Sequence, residues 1–174
     1  MNDQPPRLAV FPGTFDPITN GHLDIIRRGA GLFDVLVVGV GNNPEKAALL
    51  DHAQRAAIVR EVVCDLPNVR VEPFEGLTVD FARRVGASVI LRGIRNFSDL
   101  HFEYQVALTN RSVAGVETVF IFTSPQHAFT SSTLIKQMVQ RGGDVSGMVP
   151  PQVLPHLRNR CGAPPRDDSL DEAP

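Results

Sequence analysis

Short runs of valine, isoleucine and leucine alternate along the chain with stretches in which apolar residues recur every three or four positions. The five runs read RLAVFP, DVLVVGV, NVRVEPF, SVILRG and ETVFIF, and they begin at residues 7, 34, 68, 88 and 117. Short apolar runs of this kind, rich in valine and isoleucine, are typical of strands in a sheet that is covered on both faces. The sequence therefore predicts five strands.

Helical periodicity fills the segments between the runs. After the first run, for example, apolar residues lie three or four positions apart at Leu23, Ile26, Ala30 and Phe33. Strands that alternate with one-sided helices pair in parallel through right-handed crossovers. We therefore predict an α/β fold with a doubly wound, Rossmann-like parallel five-stranded sheet and helices on both faces. Such sheets bind ligands in the loops at the carboxyl ends of their strands.

The length of 174 residues fits one domain, which we assign to residues 1–160. Residues 161–174 read CGAPPRDDSLDEAP, and we predict that this acidic, proline-rich tail is disordered because it has almost no apolar bulk to bury. The formal net charge of -2 provides no broad basic surface, which argues against nucleic acid as a partner.

The two cysteines, Cys64 and Cys161, form neither a C-x-x-C pair nor a disulfide framework, which indicates a reducing compartment. No apolar run approaches the roughly 20 residues of a membrane span, and the N-terminus MNDQPPR lacks the features of a secretory signal. We therefore predict a cytoplasmic protein that has no membrane partner.

The loop after the first run carries the clearest candidate chemistry. Its tight bend is indicated by Pro12, Gly13, Pro17 and Gly21, which let backbone amides approach a ligand closely. A helix is predicted to begin near His22, and a helix N-terminus that follows such a loop suits phosphate. The loop matches neither the Walker pattern nor G-x-G-x-x-G, so it predicts a different kind of phosphate site.

His22 has two interpretations at this point. The helix dipole disfavours its cationic form, while a bound polyphosphate favours it, so the ring is suited to donate a hydrogen bond to a phosphoryl oxygen. Alternatively, Thr19 and Asn20 only cap the helix, and His22 is a solvated first-turn residue.

The string GTFDPITNGHLD resembles the [HT]-x-G-H signature of a nucleotidyltransferase superfamily, with Thr19 in the first position and His22 in the last. Within that group, PGTFDPITNGHLDI is similar to the bacterial phosphopantetheine adenylyltransferases. Three further strings match this family in the right order: NPEK, which ends at Lys46, RGIR at residues 92–95, and SSTLIK at residues 131–136. The resemblance covers about residues 7 to 160.

Two of these strings also have a structural interpretation. Lys46 taken alone is more often a solvated loop charge, and the hydroxyls between Thr130 and Thr133 are common helix caps. Arg92 and Arg95, by contrast, form a good clamp for phosphate oxygens at a strand end. The chain departs from the family at four positions: Leu100, His101, His127 and Thr130.

The resemblance implies adenylyl transfer from ATP to 4'-phosphopantetheine, which gives dephospho-coenzyme A and pyrophosphate by in-line attack of the acceptor phosphate on the α-phosphate. The nucleophile is already deprotonated near neutral pH, so no general base is needed, and catalysis reduces to positioning and electrostatics. The resemblance also implies Mg²⁺ carried mainly by the ATP phosphates without a dedicated protein ligand, coenzyme A as a feedback ligand, and a homohexamer.

The resemblance also implies roles for individual residues. The implied catalytic residues are Thr14, His22, Lys46 and Arg92. The implied acceptor-binding residues are Thr14, Lys46, Thr78 and Arg92. The implied ATP-binding residues are Thr14, Phe15, His22, Gly93, Ile94, Arg95, Glu103, His127, Ala128, Phe129, Thr130, Ser131, Ser132 and Thr133.

Two alternatives stay open from the sequence. A related transferase would use another acceptor, such as nicotinamide mononucleotide or glycerol 3-phosphate, although the string RGIRNFSD is associated with the pantetheine branch. A non-catalytic nucleotide-binding module would keep the fold without the reaction, and the presence of His22, Lys46, Arg92 and Arg95 argues against it.

Overall fold

A computed structural model describes residues 6–42 and 47–158 of the chain, without the side chain of residue 158. Lys46 and the predicted tail at residues 161–174 lie outside the described residues. The described chain forms one parallel sheet of five strands at the five predicted places: β1 (Leu8–Gly13), β2 (Val35–Gly41), β3 (Val69–Phe74), β4 (Val89–Ile94) and β5 (Glu117–Phe122).

The strand order is β3-β2-β1-β4-β5, and every neighbouring pair is parallel. The chain adds β2 and β3 on one side of β1, then crosses back to place β4 and β5 on the other side. The order therefore reverses between β1 and β4, and a crevice forms at the carboxyl ends of these two strands.

Six helices surround the described sheet: α1 (Asn20–Leu32), α2 (His52–Val62), α3 (Thr78–Val85), α4 (Phe97–Ala114), α5 (Ser132–Gln140) and α6 (Leu154–Arg158). Two short 3₁₀ turns span Pro125–His127 and Pro151–Val153. Helix α1 begins at Asn20, earlier than the predicted start near His22, because Thr19 acts as its N-cap.

Two hydrophobic cores lie on opposite faces of the sheet, because successive strand residues point in opposite directions. One face of β1 buries Ala9 and Phe11 against α1, α2, α5 and α6. The other face buries Val10 against α3, together with Ile90 of β4 and Val116, which precedes β5. The prediction of a doubly wound sheet with helices on both faces is confirmed.

Helix α4 packs differently from the other helices around the sheet. Its buried residue is Glu103, whereas several of its large apolar residues are exposed. The exposed apolar side chains of this helix are Phe97, Phe102, Tyr104, Leu108 and Val113. No helix in the described part of the chain is both long and apolar enough to cross a membrane.

Candidate active site

A cavity of about 620 Å³ opens at the carboxyl ends of β1 and β4. Four segments form its wall: the loop after β1, the first turns of α1, the end of β4 with the start of α4, and the residues that lead into α5. Histidine, arginine, serine and threonine side chains line it. The cavity therefore lies in the crevice between β1 and β4, where parallel sheets of this type bind ligands.

Thr19 and His22 cap α1 together at the edge of this cavity. The backbone N–H of His22 donates to Thr19 Oγ1 over 3.3 Å, and the backbone N–H of Thr19 donates to His22 Nδ1 over 3.1 Å. This is a capping box in which histidine takes the place usually held by glutamate or glutamine. Because Nδ1 accepts a hydrogen bond, we assign the proton of the neutral imidazole to Nε2.

The surroundings of His22 keep its ring uncharged. Burial, followed by the nearby charges of Arg95 and Arg92, lowers the pKa of His22 to about 4. The Phe15 ring packs edge-on against the imidazole, with 5.1 Å between ring centroids. Thr19 does cap the helix, as the structural interpretation predicted, but His22 is a half-buried neutral donor rather than a solvated residue.

Arg92 extends from β4 and is held on two sides. Its Nε donates to Glu103 Oε2 over 2.8 Å, its Nη2 donates to Glu103 Oε1, and its Nη1 donates to the carbonyl of Pro12 over 2.7 Å. Glu103 is 8% exposed, so its carboxylate depends on this pairing for compensation. The carboxylate of Glu103 therefore orients the Arg92 guanidinium in the described structure.

Arg95 forms a second two-point pair at the end of β4. Its Nε and Nη2 donate to the two carboxylate oxygens of Asp99 over 2.8 and 3.0 Å. The hydrogen bond from the Arg95 side chain is the largest influence on Asp99 and lowers the pKa of that carboxyl. Arg95 Nη1 also lies 3.5 Å from the carbonyl of Thr130, so this pair connects β4 to the approach to α5.

The start of α5 provides a second helix N-terminus at the cavity. Ser131 Oγ accepts from the backbone N–H of Leu134 over 3.1 Å, which confirms the capping interpretation for this hydroxyl. Ser132 Oγ donates to the carbonyl of Pro17 over 2.9 Å and so fastens α5 to the loop after β1. A helix N-terminus held in this way suits phosphate binding.

A second cavity of about 310 Å³ adjoins the first. Thr78 lines it together with mainly apolar side chains of α3 and α4, such as Val79 and Phe102. Pro12, Arg92 and Glu103 line both cavities. The Arg92–Glu103 pair therefore stands at the boundary between a polar and a more apolar compartment.

Comparison with known proteins places this chain in a family. The Cytidylyltransferase-like family model matches residues 10–138. The chain is 46% identical over 161 residues to the phosphopantetheine adenylyltransferase of Anaeromyxobacter dehalogenans (strain 2CP-C). The matched region covers 92% of this chain and 98% of that relative. It is 48% identical over 155 residues to that of Nocardioides sp. (strain ATCC BAA-499 / JS614), over 89% of this chain and 98% of the relative. The chain belongs to the phosphopantetheine adenylyltransferase family.

A solved structure agrees at the level of the fold. A Vibrio parahaemolyticus protein described as a nicotinate-nucleotide adenylyltransferase superposes with a TM-score of 0.65 at 21% identity, over 87% of this chain and 91% of that one. The sheet and its helices are thus common to nucleotidyltransferases of different description.

Most of the site residues predicted from the sequence line the first cavity. These are Thr14, His22, Arg92, Gly93, Arg95, Glu103, Ala128, Phe129, Thr130, Ser131, Ser132 and Thr133. Thr78 lines the second cavity instead. Three further predicted residues in the described part of the chain do not line the first cavity: Phe15, Ile94 and His127. Phe15 and Ile94 are buried in the protein, and His127 packs near Gly21. Lys46 lies outside the described residues, and its role stays a prediction.

The sequence analysis missed the role of Asp16, although this residue belongs to the quoted GTFDP string. Asp16 is buried, and its carboxylate accepts from the backbone N–H groups of Leu49 and Leu50, each over 2.9 Å. Lys136 Nζ of α5 donates to it over 2.7 Å. One carboxylate therefore joins the loops that follow β1 and β2 to helix α5.

Asp24 was also present in the motif without an assigned role. Its two carboxylate oxygens accept from the backbone N–H and the hydroxyl of Ser124, over 3.0 and 2.9 Å. Burial acts against these hydrogen bonds, but the net effect lowers the pKa of Asp24. Asp24 therefore ties α1 to the chain that leads from β5 to the second helix N-terminus.

Proposed function

We propose that this phosphopantetheine adenylyltransferase family member transfers an adenylyl group from ATP to the phosphate of 4'-phosphopantetheine, with dephospho-coenzyme A and pyrophosphate as products. One observation carries the proposal: a neutral histidine donor and two arginines meet in the crevice between β1 and β4. The high identity to named phosphopantetheine adenylyltransferases supports the choice of acceptor.

The reaction forms one bond and breaks one bond at the α-phosphorus of ATP. An oxygen of the acceptor phosphate attacks in line, and the bond from the α-phosphorus to the pyrophosphate oxygen breaks. The second pKa of a phosphate monoester is about 6, so the nucleophile is mostly ionised at neutral pH and needs no base. In the proposal, His22 Nε2–H donates to an α-phosphoryl oxygen that gains charge in the transition state.

In this proposal, Arg92 and Arg95 bind the phosphates of different substrates. Arg92 stands at the boundary of the two cavities, so we assign it, with Thr14, to the acceptor phosphate. The pairing with Glu103 keeps its planar fork in one orientation, which limits the ordering required when the substrates bind. We assign Arg95 and the N-terminus of α5 to the phosphates of ATP.

The second cavity is suited to the rest of the acceptor. We propose that the pantetheine arm lies along Thr78 and the apolar side chains of Val79 and Phe102. An arm of amide and methylene groups fits a pocket with a mainly apolar lining and a few polar groups. Its position would bring the terminal phosphate to Arg92, at the edge of the first cavity.

Mg²⁺ fits this site as an ion that is bound together with the nucleotide. Among the described residues, the carboxylates that line the first cavity are Asp99 and Glu103, and both are bonded to arginines. The ion would therefore be held through phosphate oxygens and water, as is usual for Mg²⁺ with a nucleotide. When bound, it neutralises negative charge on the phosphates.

We extend the proposal to assembly, regulation and location. The exposed apolar side chains of α4, such as Tyr104 and Leu108, support contact with further copies of the chain, and we propose a homohexamer. Sedimentation should give six times the chain mass of 19.0 kDa, and a monomer would contradict this. Feedback by coenzyme A and a cytoplasmic location remain parts of the proposal.

A comparison of acceptors tests the proposed function. Pyrophosphate release would be measured with ATP and Mg²⁺ in the presence of 4'-phosphopantetheine, unphosphorylated pantetheine or nicotinamide mononucleotide. We expect release with 4'-phosphopantetheine alone, because only this acceptor carries both the nucleophile and the arm. Release with nicotinamide mononucleotide alone would retain adenylyl transfer but overturn the acceptor, and no release with any of the three would contradict the proposal.

A further inference from the structure

A buried arginine lies beneath the loop that follows β1, outside both cavities. Arg55 belongs to α2 and is 3% exposed, on the same side of the helix as Ile58, Val59 and Val62. Burial of a guanidinium is costly unless its donors find acceptors and its charge is compensated. The burial of this guanidinium therefore requires compensating contacts.

The guanidinium of Arg55 reaches three backbone carbonyls outside its own helix: one in the loop after β1, one at the end of β2 and one shortly before α2. Its Nη1 donates to the carbonyls of Thr14 over 2.7 Å and Gly41 over 2.8 Å, and its Nε donates to the carbonyl of Leu50 over 3.2 Å. Its partners in the described part of the chain are mainly carbonyl oxygens, and Asp16 acts on it through longer-range attraction. The side chain thus joins the loop after β1 to both ends of the connection between β2 and α2.

The segment held by Arg55 has an unusual backbone. Phe15 follows Thr14 directly and has a φ of 47°, in the left-handed region that a phenylalanine seldom adopts. Such a conformation persists only where the surrounding contacts enforce it. The two neighbours Phe15 and Asp16 are buried, whereas the side chain of Thr14 is exposed at the cavity. The local fold therefore presents Thr14 to the cavity from an enforced turn.

We propose that Arg55 is a positioning residue for the reaction: by holding the carbonyl oxygen of Thr14, it fixes the placement of the Thr14 side chain against the reacting phosphates. The inference rests on the proposed role of Thr14. A planar fork can hold several acceptors in fixed directions, which a lysine ammonium cannot do. Arg55 itself touches no substrate and acts through Thr14.

The kinetic consequence follows from the sensitivity of phosphoryl transfer to alignment. A displacement of about 1 Å in a positioning element can cost about 100-fold in rate. We expect Arg55→Met to lower kcat by about that factor, while KM for ATP changes by less than about threefold, since the arginines and the α5 terminus are untouched. Arg55→Lys keeps the charge but loses the fork, so its kcat should lie between Arg55→Met and the parent.

Arg60→Met is the matched control for helix α2. Arg60 lies on the same helix, and within the described residues its exposed side chain donates one hydrogen bond, to the carbonyl of Val71 over 3.4 Å. We expect its kcat to stay within about twofold of the parent. Thermal unfolding by circular dichroism sets an assay temperature at which every variant is folded, and Arg55→Lys serves as the test variant if Arg55→Met does not fold.

A double-mutant cycle with Thr14→Ala separates positioning from general support of the fold. If Arg55 acts through Thr14, the Arg55 substitution should lose most of its effect in the Thr14→Ala background, with a remaining change in kcat of less than about threefold. Equal losses of kcat in the parent and in the Thr14→Ala variant would overturn the inference. An Arg55 substitution that leaves kcat unchanged in the otherwise unaltered parent would overturn it as well. If Thr14→Ala alone leaves kcat unchanged, the assignment of Thr14 fails, and this inference fails with it while the acceptor comparison stands.

Discussion

At the scale of single residues, one hydrogen bond of His22 both closes a helix cap and sets which ring nitrogen carries the proton. The N–H of Thr19 reaches Nδ1 of the ring and closes the cap of α1. The same bond leaves Nε2 as the protonated nitrogen of the neutral ring. The structural and functional interpretations of this residue are therefore compatible, because the cap orients the donor.

The charge state of His22 gives a prediction about pH. Its pKa of about 4 in the folded protein lies below the ordinary value of 6.5, so the unfolded chain binds a proton first as the pH falls from 7 to 4. Stability from His22 is thus present above about pH 7 and is lost through this window. NMR of the histidine rings should show one signal, absent in His22→Gln, that does not shift between pH 7 and 5. A midpoint near 6.5 for that signal would contradict the prediction.

The sequence predicted single residues where a motif carried them, and it missed residues whose partners lie far along the chain. His22, Arg92 and Arg95 all line the first cavity. Arg55 was missed, although its position three residues before Ile58, on the apolar side of a predicted helix, indicates a buried charge. Two of its acceptors are the carbonyls of Thr14 and Gly41, which lie far from it along the chain, and no local pattern predicts which carbonyls will meet it.

At the scale of the elements, the place of α1 on the sheet depends on the lack of a side chain at Gly29. A Cβ at this residue would lie 2.5 Å from Leu91 Cδ2 and 3.2 Å from Leu36 Cδ2, and both leucines are fully buried. Gly31, two residues further along the helix, has no such neighbour within 4 Å. The two glycines therefore provide a matched pair in one helix.

We predict opposite effects of alanine at these two positions. Overpacking costs about 1–3 kcal/mol, which outweighs the helix propensity gained, so Gly29→Ala should lower the free energy of unfolding by about 1–2 kcal/mol. Gly31→Ala should raise it by up to about 1 kcal/mol. Urea denaturation of both variants measures the difference. Equal effects of the two substitutions would show that α1 does not pack on the sheet as closely as described.

The apolar runs predicted all five strands. The interior strands β2, β1 and β4 need apolar residues on both faces, whereas the edge strands β3 and β5 are less buried. Helix α1 begins at Asn20, slightly before the predicted start near His22, because the reciprocal bonds with His22 make Thr19 the N-cap. The packing of α4 was not predicted, since its apolar residues do not mark one buried face.

At the scale of the whole molecule, the strand order determines where the cavities open. The reversal between β1 and β4 opens the first cavity, and α3 and α4 add the second one beside it. The alternation of strands and helices predicted the edge of the sheet at which these cavities open. It could not predict the two adjoining cavities, because their shared boundary at Arg92 depends on a contact with Glu103 of another element.

The account as a whole is tested most directly by the turnover and ATP affinity of His22→Ala. Pyrophosphate release with ATP, Mg²⁺ and 4'-phosphopantetheine would be measured beside the dissociation constant of ATP, with His156→Ala of α6, which lines neither cavity, as the control. We predict that His22→Ala abolishes turnover while ATP binding stays within roughly tenfold, since the donated bond matters mainly in the transition state. Near-normal turnover in His22→Ala would contradict the central claim.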